Sequence, residues 1–271
     1  MSDATLIYDN NTNYGKTYQD TQANLIGDVV MTFGSLFAGI GGFDLGFEQA
    51  GMVCKWQGDI DDYCNRIRQK HWPDVPQFGD IRECGAHNLE AVDVICGGFP
   101  CQPFSVAGKQ RGEADDRHLW PEMLRVISEL KPTWVVGENV PNFLNMGLDQ
   151  AIADLEKEGY QSQPFIIPAC AVNADQERKR VFIVAYCEES STFSKLEQSR
   201  IWSTPKQPRG CFSTKVRNEK RKWGNEPKSR MVRVADGIPN RVDRLKCLGN
   251  AVVPAVAQFI GECIMRLEQN K

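Results

Sequence analysis

Residues 31–51 read MTFGSLFAGIGGFDLGFEQAG. An apolar strand over 31–37 runs into a turn built on Gly39 and Gly41, and the turn opens a short helix. Phe43, Phe47 and Ala50 share one face of that helix, and Gly51 stops it. The pattern repeats along the chain. MVCKWQ (52–57) is a second strand, and Asp61 is placed to cap a helix running through Lys70. VDVIC (92–96) and TWVVG (133–137) are short continuous apolar runs of the kind buried in parallel sheets. Between them a helix ends near Leu130, with Leu124, Ile127 and Leu130 in phase. Leu148, Ile152 and Leu155 line another helix, ended by Gly159, and RVFIVAY (180–186) is a last strong strand. Strands alternating with helices predict an α/β fold: a Rossmann-like, mostly parallel sheet with helices on both faces.

The 271 residues are enough for a sizeable core. A hydrophobic fraction of 41% and a charged fraction of 25% exclude a largely disordered chain. No signal-peptide pattern opens the sequence, and no apolar run approaches the ~18–20 residues of a membrane span. A cytoplasmic location without membrane contact is therefore expected. The ten cysteines are scattered without a C-x-x-C pair and the three histidines lie far apart, so reduced thiols and no metal are expected.

Residues 1–30, rich in Asn, Thr, Gln and Asp, read as a mobile polar extension. Residues 31–186 carry the alternating pattern. Residues 187–235 break it with Pro205, Pro208, Gly210, Gly224 and Pro227. From Tyr186 to Arg230 eleven Lys/Arg face five Asp/Glu, a local charge of +6 in a chain whose net charge is −3. A basic segment on an acidic body suggests a polyanion partner for that region. In residues 236–271, Pro254 suits the first turn of a helix whose Val256, Phe259 or Ile260, Cys263 and Leu267 form a stripe that docks back on the sheet.

In doubly wound sheets ligands bind beyond the carboxyl ends of the strands. Gly39 and Gly41 permit a tight turn there, yet Asp44 stands where G-x-G-x-x-G needs its third glycine. A carboxylate in that place would repel a pyrophosphate. Asp59, twenty residues after Gly39, sits where an acid bonds ribose hydroxyls. A nucleoside without phosphates is implied, which fits S-adenosylmethionine better than NAD. Cys96 lies inside an apolar strand and reads as core. Cys101 follows Gly97, Gly98, Phe99 and Pro100 and leads into VAGKQRGEADDR, a polar loop with Gly108 and Gly112 as hinges. A thiol held there between Pro100 and Pro103 is a candidate nucleophile, with Glu138 at a neighbouring strand end as its proton partner.

FAGIGG (37–42), GGFPCQPFS (97–105), GENV (137–140), QERKR (176–180) and GNAVVP (249–254) resemble, in order, the signature blocks of the cytosine-5 DNA methyltransferases of bacterial or phage type. The resemblance covers residues 31–265. It implies a DNA (cytosine-5-)-methyltransferase that uses S-adenosyl-L-methionine, with Cys101 adding to C6 of the base and Glu138 bonding and protonating N3. It places Arg178 and Arg180 at the base edge and the cysteine loop. Asn139 is expected to shape the loop around Pro100. The cofactor residues it implies are Phe37, Gly39, Gly41, Asp59, Ile60, Asp80, Ile81, Leu119, Asn250 and Val252. Double-stranded DNA with a flipped cytosine is the implied partner, met by Gln102, Ser105, Lys109, Arg111 and Gln176 as the loop over 102–117 closes. A monomer is expected, and a restriction-modification setting with a cognate endonuclease.

The segment between Tyr186 and Gly249 is short for the specificity domain of that family. It carries Trp202, Phe212 and Trp223 among its basic residues, a mixture suited to phosphate contact and stacking. DGIPNRVDRLK (236–246) stands where a recognition-supporting block is expected, with Arg241 or Arg244 as substitutes. Three readings follow: a DNA methyltransferase, an RNA (tRNA) cytosine-5 methyltransferase of the same lineage, or a non-catalytic DNA-binding protein on the same scaffold.

Overall fold

The computed structural model of the chain describes residues 30–100, 119–187 and 241–270. The expectations for residues 1–29, for the cysteine loop over 101–118 and for the basic segment over 188–240 lie outside them.

In chain order the elements are β1 (Thr32–Leu36), α1 (Gly42–Gln49), β2 (Val53–Gly58), α2 (Asp62–His71), β3 (Gln77–Phe78), β4 (Val94–Gly97), α3 (Trp120–Leu130), β5 (Trp134–Asn139), α4 (Leu148–Lys157), β6 (Tyr160–Pro168), β7 (Lys179–Cys187), α5 (Arg241–Asn250) and α6 (Pro254–Gln269). The strands form one sheet in the order β3-β2-β1-β4-β5-β7-β6. The first five run parallel, and β7 lies antiparallel between β5 and β6. β1 has β2 on one side and β4 on the other, so the chain order reverses at β1. That reversal opens a crevice at the carboxyl ends of β1 and β4.

Both faces of the sheet are covered, which explains the continuous apolar runs. In β4, Ile95 packs with Met123, Ile127 and Leu155 from α3 and α4. Its neighbours Val94 and Cys96 turn to the other face, among Phe43 and Phe47 of α1 and Ile260 and Ile264 of α6. β5 divides in the same way, Val135 to one face and Trp134 and Val136 to the other. Asp61 caps α2 as expected, accepting from the backbone N–H groups of Tyr63 and Cys64. Pro254 stands in the first turn of α6.

Two elements differ from the sequence reading. β6 is a nine-residue strand that the sequence did not reveal, since Pro164 interrupts a run mixed with glutamines. It lies at the sheet edge, where a missing N–H costs little. The run Lys246–Gln269 holds an 18-residue window of mean hydropathy 1.4, apolar enough to cross a membrane by length and composition, against the expectation of no such run. Its apolar stripe, Val256, Ala257, Ile260 and Ile264, is buried against α1 and the sheet, which is how a core helix meets the same criterion.

Candidate active site

The crevice at the strand ends is a cleft of about 660 Å³. Its walls come from the turn after β1, the ends of β2 and β5, the 3-10 turn after β3, and the segment joining α5 to α6. Among the residues named for a cofactor, Phe37, Gly39, Asp59, Ile60, Asp80, Ile81, Leu119, Asn250 and Val252 all line it. Gly41 does not. It caps α1 at φ 89°, and a Cβ there would strike the Trp72 ring at 2.6 Å, so its glycine is required by the turn and by Trp72.

Asp59 is held in place before any ligand arrives. Its Oδ2 accepts from the Gly39 N–H at 2.7 Å and its Oδ1 from the Asp61 N–H at 2.8 Å. Each oxygen accepts one of these bonds and has capacity for another, and Asp59 lines the cleft. Ile60 beside it is 67% exposed, an apolar surface open to a flat ring. Asp80 is committed to Arg82, which pairs with it at 2.9 Å and holds its carboxyl below the usual range. Asp44 behaves otherwise than the sequence suggested. It is fully buried away from the cleft and accepts from Gln57 at 2.9 Å and Ser35 at 3.2 Å. Burial holds its carboxyl above the ordinary value, so it is a core group and repels no ligand.

Opposite this wall, Glu138 projects from the end of β5 and is only 7% exposed. Burial pushes its carboxyl up to about 7, against the opposing pull of Arg180 and Arg178. Arg180 lies 2.9 Å from Oε1, close enough for an ion pair. The approach is poorly aligned, and Oε1 has no hydrogen-bond partner. A buried carboxyl whose affinity for a proton is raised to near neutral pH is suited to exchange a proton with a ligand. Gly98 leaves the carboxyl room, because a Cβ there would sit 3.0 Å from Oε2 of Glu138 and crowd it.

Asn139 has the role expected of it, donating to the carbonyl of Phe99 at 3.0 Å and so fixing the approach to Pro100, which lines the cleft. Arg178, expected at the base edge and the cysteine loop, is bonded to backbone carbonyls near the C-terminal helix. It donates to the carbonyls of Gly249 and Ala251, both at 2.8 Å, and so clamps the segment that carries Asn250 into the cleft wall. Gln176 is exposed, beyond the cleft walls. Cys101, Gln102, Ser105, Lys109 and Arg111 lie outside the described residues, as do the side chains of Arg241 and Arg244.

The sequence reading missed three cleft residues that come together from distant parts of the chain. Asp61, Cys64 and Cys247 place ligand atoms within 4.8 Å of one another, and the two thiols are 3.1 Å apart. No spacing signals this, because 183 residues separate the cysteines. Asp61 is already engaged by Lys246 at 2.7 Å and by the α2 cap, and burial pushes both thiols up. Protonated thiols beside an ammonium ion do not favour a cation.

Strand order and the cleft at its reversal define a Rossmann-like α/β fold with a candidate ligand site at the strand ends. Residues 31–235 match the family described as C-5 cytosine-specific DNA methylase, and the chain belongs to that family. It is 31% identical to the Type II methyltransferase M.HhaI of Haemophilus parahaemolyticus over 161 residues, 58% of this chain and 49% of that protein. It is 37% identical to M.NgoFVII of Neisseria gonorrhoeae over 157 residues, 55% and 42% of the two. The chain thus spans about half the length of the curated relatives it matches. A solved Escherichia coli structure, described as a DNA modification methyltransferase encoded within a prophage, aligns at TM-score 0.50 and 26% identity, covering 58% and 47%. The Entamoeba histolytica methyltransferase EhMeth aligns at TM-score 0.60 over 88% of this chain and 99% of its own, with 14% identity, a likeness of fold.

Proposed function

We propose that this chain methylates C5 of cytosine in duplex DNA through a covalent bond between Cys101 and C6. The observation that carries the reading is Glu138: a buried carboxyl pushed up to about 7, beside Arg180, in the same cleft as Asp59 and the Gly39 turn. The donor set fits an adenosine-type cofactor. Asp59 presents a fixed carboxylate, Ile60 an apolar face, and the space above Gly39 is clear, since a Cβ there would meet nothing within 4 Å. S-adenosylmethionine would supply an electrophilic methyl group there.

C5 of cytosine is a weak nucleophile, so the ring must be activated first. Pro100 lines the cleft, and Cys101 is its next residue in sequence. As the Cys101 thiolate bonds to C6, the C5–C6 π electrons move toward C5 and Glu138 delivers its proton to N3. C5 becomes enamine-like and nucleophilic. After methylation the C5 proton leaves to a base, the double bond re-forms, the thiolate departs and N3 returns its proton to Glu138. Arg180 steadies the carboxylate in the interval. A cytosine stacked in a duplex exposes neither ring face, so the base must be flipped into the cleft.

The test is a pool of random-sequence duplexes carrying 5-fluorocytosine, with S-adenosylmethionine present. Fluorine cannot leave C5 as a proton does, so the enzyme stays bonded to the base. The reading predicts a denaturation-resistant adduct that Cys101→Ser abolishes. No adduct from the pool would overturn it, and an adduct with tRNA alone would move the substrate to RNA.

A further inference from the structure

The α2 sequence DYCNRIRQKH is polar almost throughout, and its arginines read as solvated charge. Arg68 is not solvated. It is the one fully buried cationic side chain among the described residues, at 0% exposure. Burying a guanidinium is costly, so its partners identify what it is for; Nε has none, and the two terminal nitrogens make the contacts. Nη1 donates to the carbonyl of Gly39, and Nη2 donates to Oδ1 of Asn65 at 2.6 Å. Asn65 in turn donates through Nδ2 to the backbone carbonyl of Asp59 at 3.1 Å. Asp59 closes the ring by accepting from the Gly39 N–H at 2.7 Å. Gly39 is thus held at both its N–H and its C=O, and the residue holding the N–H is the acid that faces the cleft.

We propose that Arg68 is a positioning residue for the adenosine-type cofactor. It does not line the cleft itself, whereas Gly39, to which it donates, and Asp59 both do. Through the closed ring of hydrogen bonds, Arg68 sets the glycine turn and the ribose acid at a fixed separation before the ligand enters. A turn with φ 55° at Gly39 has many accessible conformations when unpinned, and their loss on binding would weaken affinity. Asn65 serves the same ring from the neighbouring turn of α2. The inference rests on the reading of this cleft as a cofactor site.

The experiment measures binding of S-adenosylhomocysteine by calorimetry to the full chain and to Arg68→Met, Arg68→Lys and Asn65→Ala, with thermal melts as the check on folding. Loss of a charged hydrogen bond of this kind predicts binding weaker by about 10- to 100-fold for Arg68→Met. Arg68→Lys and Asn65→Ala should fall between it and the parent, because each keeps part of the ring. The KM for S-adenosylmethionine should rise in step while kcat at saturating cofactor stays within about threefold. Parent-like affinity in a cooperatively melting Arg68→Met overturns the proposal, as does a fall in kcat with affinity unchanged. Should Arg68→Met fail to fold, parent-like affinity in both Arg68→Lys and Asn65→Ala overturns it. If the parent chain itself does not bind S-adenosylhomocysteine, the cofactor reading of the cleft falls and this inference with it. Parent binding that Arg68 does not influence removes the positioning role alone.

Discussion

Replacing Glu138 by glutamine tests the carboxyl proposed as proton donor through the stability of the fold, independently of any substrate. An exposed glutamate has a value of 4.5, and burial at the end of β5 pushes Glu138 up to about 7. The folded chain therefore binds a proton that the unfolded chain has released over the interval between those values. Its contribution to stability is complete below pH 4.5 and is lost as pH rises through about 7. The full difference corresponds to about 3 kcal/mol, and the part falling between pH 5 and pH 8 to about 2.5 kcal/mol. Glutamine resembles the protonated acid and does not titrate. Urea denaturation of the parent and Glu138→Gln at pH 5, 6, 7 and 8 should thus show the variant gaining about 2.5 kcal/mol relative to the parent across that range. Asp44 and the other buried groups are common to both chains and cancel. A stability gap that stays constant to within about 0.5 kcal/mol would mean that Glu138 is ionised in the fold throughout, and the proton-donor argument would fail. The same substitution should slow methyl transfer by roughly 10²–10⁴, and the parent's rate should decline above pH 7 as the acid ionises.

Cys101→Ser should retain S-adenosylhomocysteine binding and lose methyl transfer, measured by incorporation of labelled methyl groups; retained turnover would remove the thiol from the mechanism. Asp59→Ala removes both the cleft-lining carboxylate and the Gly39 bond, and calorimetry should show cofactor affinity reduced by at least about 10-fold. Arg178→Met releases the carbonyls of Gly249 and Ala251, so hydrogen exchange at residues 249–252 should accelerate by about 10-fold or more while β5 and β7 stay protected.

The parallel core was legible in the sequence because its strands are buried on both faces. Ile95 and Val135 need apolar neighbours on one side, and Val94, Cys96 and Val136 need them on the other, so the runs are continuous. Asp61 as a cap and Pro254 in a first helical turn are local effects of backbone chemistry and were equally readable. β6 was not, because proline weakens a strand in isolation and only its place at the sheet edge makes Pro164 harmless.

Within the site, the sequence by itself determined the glycine turn, Asp59, Glu138 and Asn139, since each stands at a fixed offset from a strand end. Tertiary structure alone decided what those groups experience. Glu138 acquires its affinity for a proton only when β4, β5 and β7 close around it and Gly98 lets it approach. Asp44 looked like a ligand-facing carboxylate and became a core group because α1 turns it inward onto Gln57 and Ser35. Arg178 was separated from Arg180 by one residue, yet the two side chains serve different partners, because α5 brings its terminal carbonyls to one and β5 brings its carboxyl to the other. Arg68 becomes a buried partner of Gly39 only because α2 lays it beneath that turn. Offsets along a chain record which residues are present at a strand end. Burial and partnership depend on distant segments meeting, and those forces set a side chain's charge and reach.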